Sequence, residues 1–250
     1  MNDELKLQRL LRELPFYVTP PHPCSYLDDR QATTVFVDPG FPLSMAHYSE
    51  LANLGFRRSG EHVYRPECAQ CKLCIPVRVP VGRFKPNRAQ RRCLRRNQDL
   101  DIHIVEAKYS EEHFKLYRRY MSARHAGGGM DKDDPEAYQS LIGAHWCDSR
   151  LIEFRLQNRL VAVAVTDQFP QGMSAVYTFF DPDLNSRSLG VFAVLTEIRL
   201  LQEAARSCLY LGYWNPQTPK MAYKNNYAPL EFFNQNGWHI LPDQPHKNTN

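Results

Sequence analysis

The sequence predicts an α/β protein of the α+β kind: a mixed sheet with flanking helices over residues 101–241, a smaller cysteine-containing domain over residues 1–100, and a polar tail over 242–250. Two observations carry that expectation. After a strand at residues 101–105, apolar spacing runs helix, helix, three strands, turn, helix, strand as far as Trp214, which layers helices on a sheet. The hydrophobic share, 43% of 250 residues, is that of a chain with a real core.

Each element follows from local chemistry. Leu5, Leu7, Leu10, Leu11 and Leu14 make residues 3–13 an amphipathic helix, stopped by Pro15. Thr33-Thr-Val-Phe-Val37 is β-branched and reads as a strand, and Ser44 caps a helix through Leu54 that ends at Gly55. Val77-Arg-Val-Pro-Val81 alternates as a strand, and Asn87 caps a helix over residues 88–96. Asp101-Ile-His-Ile-Val105 opens the second domain. Ser110 starts a helix to about Ala123 that buries Phe114, Tyr117, Tyr120 and Met121, and Asp133-Asp-Pro135 caps another to about Trp146. Strands follow near residues 151–156, 160–166 and 174–180, with a hairpin turn at Asn158-Arg159. Asp181-Pro-Asp-Leu-Asn185 is turn vocabulary, residues 188–206 have helical spacing, and Leu209–Trp214 is a strand. Pro229 to Asn236 is expected to be a last short helix ended by Gly237.

Thirty-one basic against 27 acidic residues give +4, so a nucleic-acid partner has to be argued from where the charge lies. It lies between Arg83 and Arg96, with seven basic residues and no acid. Arg88, Arg91, Arg92, Arg95 and Arg96 fall three, four, seven and eight apart, so a helix makes them one guanidinium stripe. A solvated basic face is the plain alternative, but without interleaved carboxylates such a stripe calls for phosphates. No base-reading motif accompanies it, so backbone contacts are expected, with no DNA partner. No run is long enough to cross a bilayer, and the acidic, polar start is unlike a secretion signal, so a cytoplasmic address and no membrane partner are expected. There the seven cysteines stay reduced or hold metal. Cys68, Cys71 and Cys74 recur at every third residue in a Pro-flanked turn, and with Cys24 as fourth ligand they suit zinc or an iron–sulfur cluster; His22 and His62 stand behind Cys24. The other reading is of small half-buried residues in a packed loop.

Several short motifs occur in a fixed order: Pro23-Cys-Ser-Tyr-Leu27, the Cys68-x-x-Cys71-x-x-Cys74 run, Gln90-Arg-Arg, Arg124-His-x-Gly-Gly-Gly-Met130, Asp181-Pro-Asp, Arg187-Ser-Leu-Gly190, Leu211-Gly-Tyr-Trp214 and Lys220-Met-x-Tyr-Lys224. On these the chain resembles the bacterial aspartate/glutamate leucyltransferases, relatives of the eukaryotic arginyl-tRNA–protein transferases, from about residue 5 to 240. The resemblance implies transfer of leucine from leucyl-tRNA to the N-terminal Asp or Glu of a protein, marking it for degradation by the N-end rule (N-degron) pathway. It also implies a C-terminal domain like the Gcn5-related acyl-CoA N-acyltransferases. Where those enzymes carry a small residue in their pyrophosphate loop this chain has Phe192, which disfavours acetyl-CoA as donor. The alternatives are an arginyl-tRNA–protein transferase, an acetyltransferase and a metal-stapled RNA-binding protein.

An aminoacyl ester is already activated, so the chemistry requires no cofactor, only a neutral amine held against the carbonyl and donors for the oxyanion. The expected sites follow. Arg88, Arg91, Arg92, Arg95 and Arg96 take tRNA phosphates. The N–H groups of Leu189 and Gly190, with Ser188 and Tyr223, face the carbonyl oxygen. Asp181 holds the α-ammonium, and Arg187, Lys224 or Arg124 supplies the cation for the acidic side chain. Tyr213 and Trp214 line the leucyl pocket, and His125, Gly128 and Lys220 complete the substrate contacts.

Overall fold

A computed structural model describes residues 14–124, 134–235 and 237–240. The helix expected at residues 3–13, the glycine loop with His125 and Gly128, and the polar tail lie outside the described residues. The chain begins with β1 (Phe16–Val18), β2 (His22–Pro23), β3 (Gln31–Ala32) and β4 (Thr34–Val37), then α1 (Met45–Asn53), β5 (Arg57–Ser59), β6 (His62–Pro66) and β7 (Ile75–Pro80). The basic helix α2 (Arg88–Arg96) leads to β8 (Asp101–Glu106), α3 (Glu111–Arg124), α4 (Pro135–Ile142), β9 (Ser149–Leu156), β10 (Arg159–Phe169) and β11 (Gly172–Phe180). A 3-10 turn at Pro182–Arg187 enters α5 (Leu189–Glu203), followed by β12 (Cys208–Trp214), α6 (Pro219–Ala222), β13 (Glu231–Asn234) and β14 (Gly237–Ile240).

Ser44 caps α1 and Asn87 caps α2, each in a reciprocal capping box, and Asp134 caps α4 ahead of Pro135, as the residue types require. The expected strands and helices from 101 to 214 are present, but α4 ends at Ile142 and not near Trp146, and the β9–β10 hairpin turns at Gln157 and Asn158, both at positive φ, one residue before the expected Asn158-Arg159. The end differs. Residues 231–240 form a hairpin and not a helix, because Phe232 and Glu231 pair across to Val77 and Arg78 of β7, a partner about 150 residues away.

Eight strands order β14-β13-β7-β12-β11-β10-β9-β8, antiparallel throughout except for β11 beside β12, which α5 joins by a crossover. The sheet is thus mixed, with helices on both faces. Along β10, Ala162 and Ala164 pack under α5 while Val163 and Val165 face α3 and α4, as a period of two demands. The small sheet, β1-β4-β6-β5, and α1 form a third core against Phe169 and Tyr210. The division expected at residue 100 does not divide the sheets: β7, from the first hundred residues, lies inside the large one. Adjacent residues of the edge strand β5 join the two. Arg58, its side chain fully buried, makes a two-pronged ion pair with Asp167 of β10, both bonds 2.9 Å, and Ser149 Oγ donates to the same carboxylate at 2.7 Å.

Candidate functional site

The large sheet opens where β11 meets β12. Their pairing covers only Gly172–Ser174 against Cys208–Tyr210, although β10 stays on the other edge of β11 out to Phe180. A register shift between Tyr210 and Gly212, with Gly212 at φ 83°, bends β12 away. Ala175 to Thr178 are consequently half-buried, whereas Gly172 to Ser174 are buried.

A guanidinium fills the throat of this opening. Arg57 of β5 donates from Nη2 to Ala175 O at 2.7 Å and from Nη1 to Tyr210 O at 3.3 Å, taking carbonyls that strand pairing leaves free. A Cβ at position 212 would lie 2.9 Å from the Arg57 guanidinium carbon, so glycine there is what admits the side chain. Lys224 approaches from the turn after β12 and donates from Nζ to Tyr213 O at 2.6 Å. Burial first, and then the charge of Arg57, push its ammonium down to about 7. Among the described residues neither cation is ion-paired with a carboxylate.

Glu197, halfway along α5, is fully buried, and neither of its carboxyl oxygens has a hydrogen-bond partner among the described residues. Burial raises it to about 8, against the pull of Arg57. Tyr223 and Tyr227 lie close enough to Glu197 for its charge to raise their hydroxyls further after burial has done so; Tyr227 is buried and Tyr223 is 47% exposed. Sequence reasoning missed Arg57 and Glu197. For Glu197 a signal was present, since it falls midway between Ala193 and Leu201 on the buried face of the helix.

The expected residues gather around the same opening. Helix α5 starts uncapped: Ser188 is left-handed (φ 55°, ψ 48°), and the Leu189 and Gly190 N–H groups make no hydrogen bond among the described residues. Helix α2 is fastened to this turn, with Asn97 Nδ2 donating to Arg187 O at 2.8 Å and Arg96 bonding Ser186 O. Gln90 Nε2 ties the same helix to Asn226 O at 2.9 Å, next to Tyr223 and Lys224. Arg88, Arg91, Arg92, Arg95 and Arg96 are all exposed on its outer side, while Gln90 and Cys93 face inward. Arg124 bonds Asn185 at 3.2 Å and lies over the Phe180 ring, and Tyr120 packs edge-on against Phe180 and Tyr177.

Other expected residues have different work. Arg187 is held by Asp99 in a two-pronged pair at 2.8 and 2.9 Å, so its cation is already neutralised and it locks the turn to the basic helix. Asp181 is buried and accepts from Arg119 at 3.0 Å, Arg159 at 2.9 Å and the Asp183 N–H at 3.1 Å; it anchors the turn and has no opening toward an amine. Tyr213 is buried, its hydroxyl donating to Gly55 O and Tyr64 O, and Trp214 donates to Ala222 O and packs on Phe232. Tyr213 joins the two sheets and is closed off from a leucyl group, whereas Trp214 packs half-buried on the large sheet alone. Lys220 is exposed on α6. The Phe192 ring packs edge-on against Phe154 in the core, beneath the turn, so its bulk obstructs no ligand and the argument from it against acyl-CoA falls.

Cys24, Cys68, Cys71 and Cys74 line one cavity of about 750 Å³, together with Asn215. Burial and then the other three thiols raise Cys74 to about 11. Four sulfur donors suit a soft metal, but among the described residues no three His, Cys, Asp or Glu are gathered closely enough to ligate one. No helix is long and apolar enough to cross a membrane, among the described residues.

Comparison with known proteins adds the family. Residues 22–92 match the N-terminal model, and residues 112–234 the C-terminal model, of the arginine-tRNA-protein transferases. The aspartate/glutamate leucyltransferase of Saccharophagus degradans is 50% identical over 91% of this chain and 97% of its own length. That of Pseudomonas fluorescens is 46% identical over 92% and 98%. Among solved structures, the C-terminal domain (DUF2156) of a putative lysylphosphatidylglycerol synthetase from Agrobacterium fabrum aligns at TM-score 0.45 and 16% identity, covering 67% of this chain and 51% of its own.

Proposed function

The chain belongs to the aspartate/glutamate leucyltransferases, within the arginine-tRNA-protein transferase family, and we infer from that premise that it moves leucine from leucyl-tRNA to the N-terminal Asp or Glu of a protein, marking the protein for degradation. The observation that best supports this reading is the continuity of the arginine-striped α2 with the uncapped start of α5, through Asn97 and Arg187. A polyanion lying along the first brings its 3′ end to the second.

The steps follow from the residues. The five exposed arginines of α2 hold acceptor-stem phosphates through the backbone, without reading sequence. The leucyl ester enters the opening beside β11, its side chain against the half-buried Tyr120, Tyr177 and Phe180 rings. As the acceptor amine attacks, the ester carbonyl oxygen becomes an oxyanion. The free Leu189 and Gly190 N–H groups and the positive end of the α5 dipole stabilise it, with the Tyr223 hydroxyl at the exposed side. The acceptor's acidic side chain requires a cation, and Lys224, which is not ion-paired to a carboxylate, supplies one. The C–N bond forms, the bond to the ribose oxygen breaks, and one proton from the amine passes to that oxygen. No nucleotide or covalent enzyme intermediate enters this scheme.

The four thiols would hold a structural zinc ion or an iron–sulfur cluster by drawing together in their cavity, stapling the β2-β3 arm to the turn before β7. Such a group would act on stability and takes no part in transfer. The protein is taken to work in the cytoplasm on tRNA and not on DNA. Incubating it with an Asp-initiated peptide and tRNA carrying labelled leucine, arginine or phenylalanine, or with labelled acetyl-CoA, tests the reading. Label reaching the peptide from leucyl-tRNA supports it; label from arginyl-tRNA or acetyl-CoA alone, or none, refutes it.

A further inference from the structure

Arg57 and Lys224 stand in the opening between β11 and β12, and Glu197 is buried behind it on α5, close enough to feel the charge of Arg57. Arg57 uses two of its five donors on the carbonyls of Ala175 and Tyr210, and Lys224 uses one of three on Tyr213 O. The two are close enough for Arg57 to depress the Lys224 ammonium, a repulsion that an ordinary structural site relieves with a carboxylate. The acid near Arg57, Glu197, bonds to neither: both its oxygens are buried and, among the described residues, without a partner. A folded protein rarely retains a buried orphaned carboxyl near a half-buried guanidinium that, like the lysine beside it, has no carboxylate partner among the described residues, because pairing would relieve them.

A free N-terminal Asp or Glu is the complement of this arrangement. It carries an α-ammonium and, three or four bonds away, a carboxylate. Resting on the transferase reading above, we propose that Arg57, Lys224 and Glu197 form the receptor for the acceptor protein's first residue, Arg57 and Lys224 taking its side-chain carboxylate and Glu197 taking a proton from its α-ammonium. The proton balance closes. The ammonium gives one proton to the Glu197 carboxylate, the neutral nitrogen attacks the ester carbonyl, and its second proton leaves with the ribose oxygen. A reference α-amine near about 8 and a carboxyl held near the same value make the first transfer close to thermoneutral. Tyr223 lies beside both Glu197 and Arg57 and is the exposed member of the group, so the acceptor enters past it. A tRNA 3′-terminal phosphate is the other anion the two cations could bind.

The test uses the full chain, leucyl-tRNA and peptides that begin with Asp or Asn but are otherwise identical. In Lys224→Met, kcat/KM for the Asp peptide should fall roughly 100-fold while that for the Asn peptide stays within about 3-fold, since only a charge-assisted bond is lost. Leucyl-tRNA affinity should not change. Glu197→Gln should lower kcat for both peptides and leave in kcat/KM between pH 7 and 8 only the rise that the peptide's own α-amine imposes, so that raising the pH recovers activity less steeply than in the parent. As a guard against loss of fold, Glu197→Met should melt higher than the parent, with the gap widening as pH rises. The raised carboxyl favours the folded state below its unfolded value of 4.5 and loses that contribution as pH climbs through about 8. An unaltered Asp:Asn ratio in Lys224→Met, or a loss of leucyl-tRNA affinity that accompanies it, overturns the proposal. A parent protein inactive with every charged tRNA would instead refute the transferase reading beneath it.

Discussion

Arg57 and Arg58 are neighbours on one edge strand, both reach from the small sheet into the large one, and they meet opposite circumstances. Arg58 finds Asp167, whose carboxylate Ser149 also steadies, and three backbone carbonyls, and its charge is answered inside the protein. Arg57 finds, among the described residues, only two carbonyls in a sheet that has split open around it. The difference teaches where this fold keeps its chemistry. A buried cation with a carboxylate is a rivet; one with carbonyls alone, beside a second cation and an orphaned acid, is a receptor awaiting an anion. Arg187 repeats the lesson at the surface, where Asp99 makes a candidate site cation into a brace.

The comparison can be broken at several points. Asp167→Asn should have the largest effect on stability, about 3–5 kcal/mol in denaturant unfolding, because it leaves Arg58 charged and uncompensated. Its Asp:Asn peptide selectivity, measured below the new midpoint, should match the parent's. Reversing Arg91, Arg92 and Arg95 to Glu should leave stability alone and flatten the slope of log affinity for tRNA against log salt by roughly 2–3, as lost phosphate contacts require; an unchanged slope would remove α2 from the interface. Gly212→Ala should destabilise by about 1–2 kcal/mol through its positive φ and push Arg57 out of the throat, so Asp-peptide transfer should fall further than stability alone explains. Asp99→Asn should have the smallest effect, at most about 1 kcal/mol, since that pair is half-exposed at the carboxylate. A large loss of selectivity in Asp99→Asn would put Arg187 back among the groups that bind the acceptor.

Much of the fold was legible because its signals are local. Ser44, Asn87 and Asp134 announce their helices by capping, and the alternation in Val163-Ala164-Val165 follows from a sheet covered on both faces. The terminal hairpin was misread because its strands are four residues each and owe their pairing to β7; the Asn236-Gly237 dipeptide was the available clue. The site divides the same way. The basic helix and the Ser188–Gly190 turn carry periodic and turn signals, and the structure brings them together through Asn97. Arg57 lies in Arg57-Arg58-Ser59, three polar residues without the apolar alternation of a strand, and its partners are 118 and 153 residues away. No local pattern distinguishes it from Arg58. Tyr213 and Trp214 erred in the other direction: aromatic residues at a strand end suggested a pocket, but the small sheet packed over Tyr213 makes it core, and Trp214 lies half-buried against Phe232 of the large sheet.

The most direct test sets the two neighbours side by side. Arg57→Lys and Arg58→Lys each keep the charge and remove the fork, and the ratio of kcat/KM for Asp- and Asn-initiated peptides is measured in both, at a temperature where both are folded. The ratio should collapse in Arg57→Lys and hold at the parent value in Arg58→Lys, although the second is the less stable protein. Equal ratios in the two variants would contradict the view that the guanidinium left without a carboxylate is the one that reads the substrate.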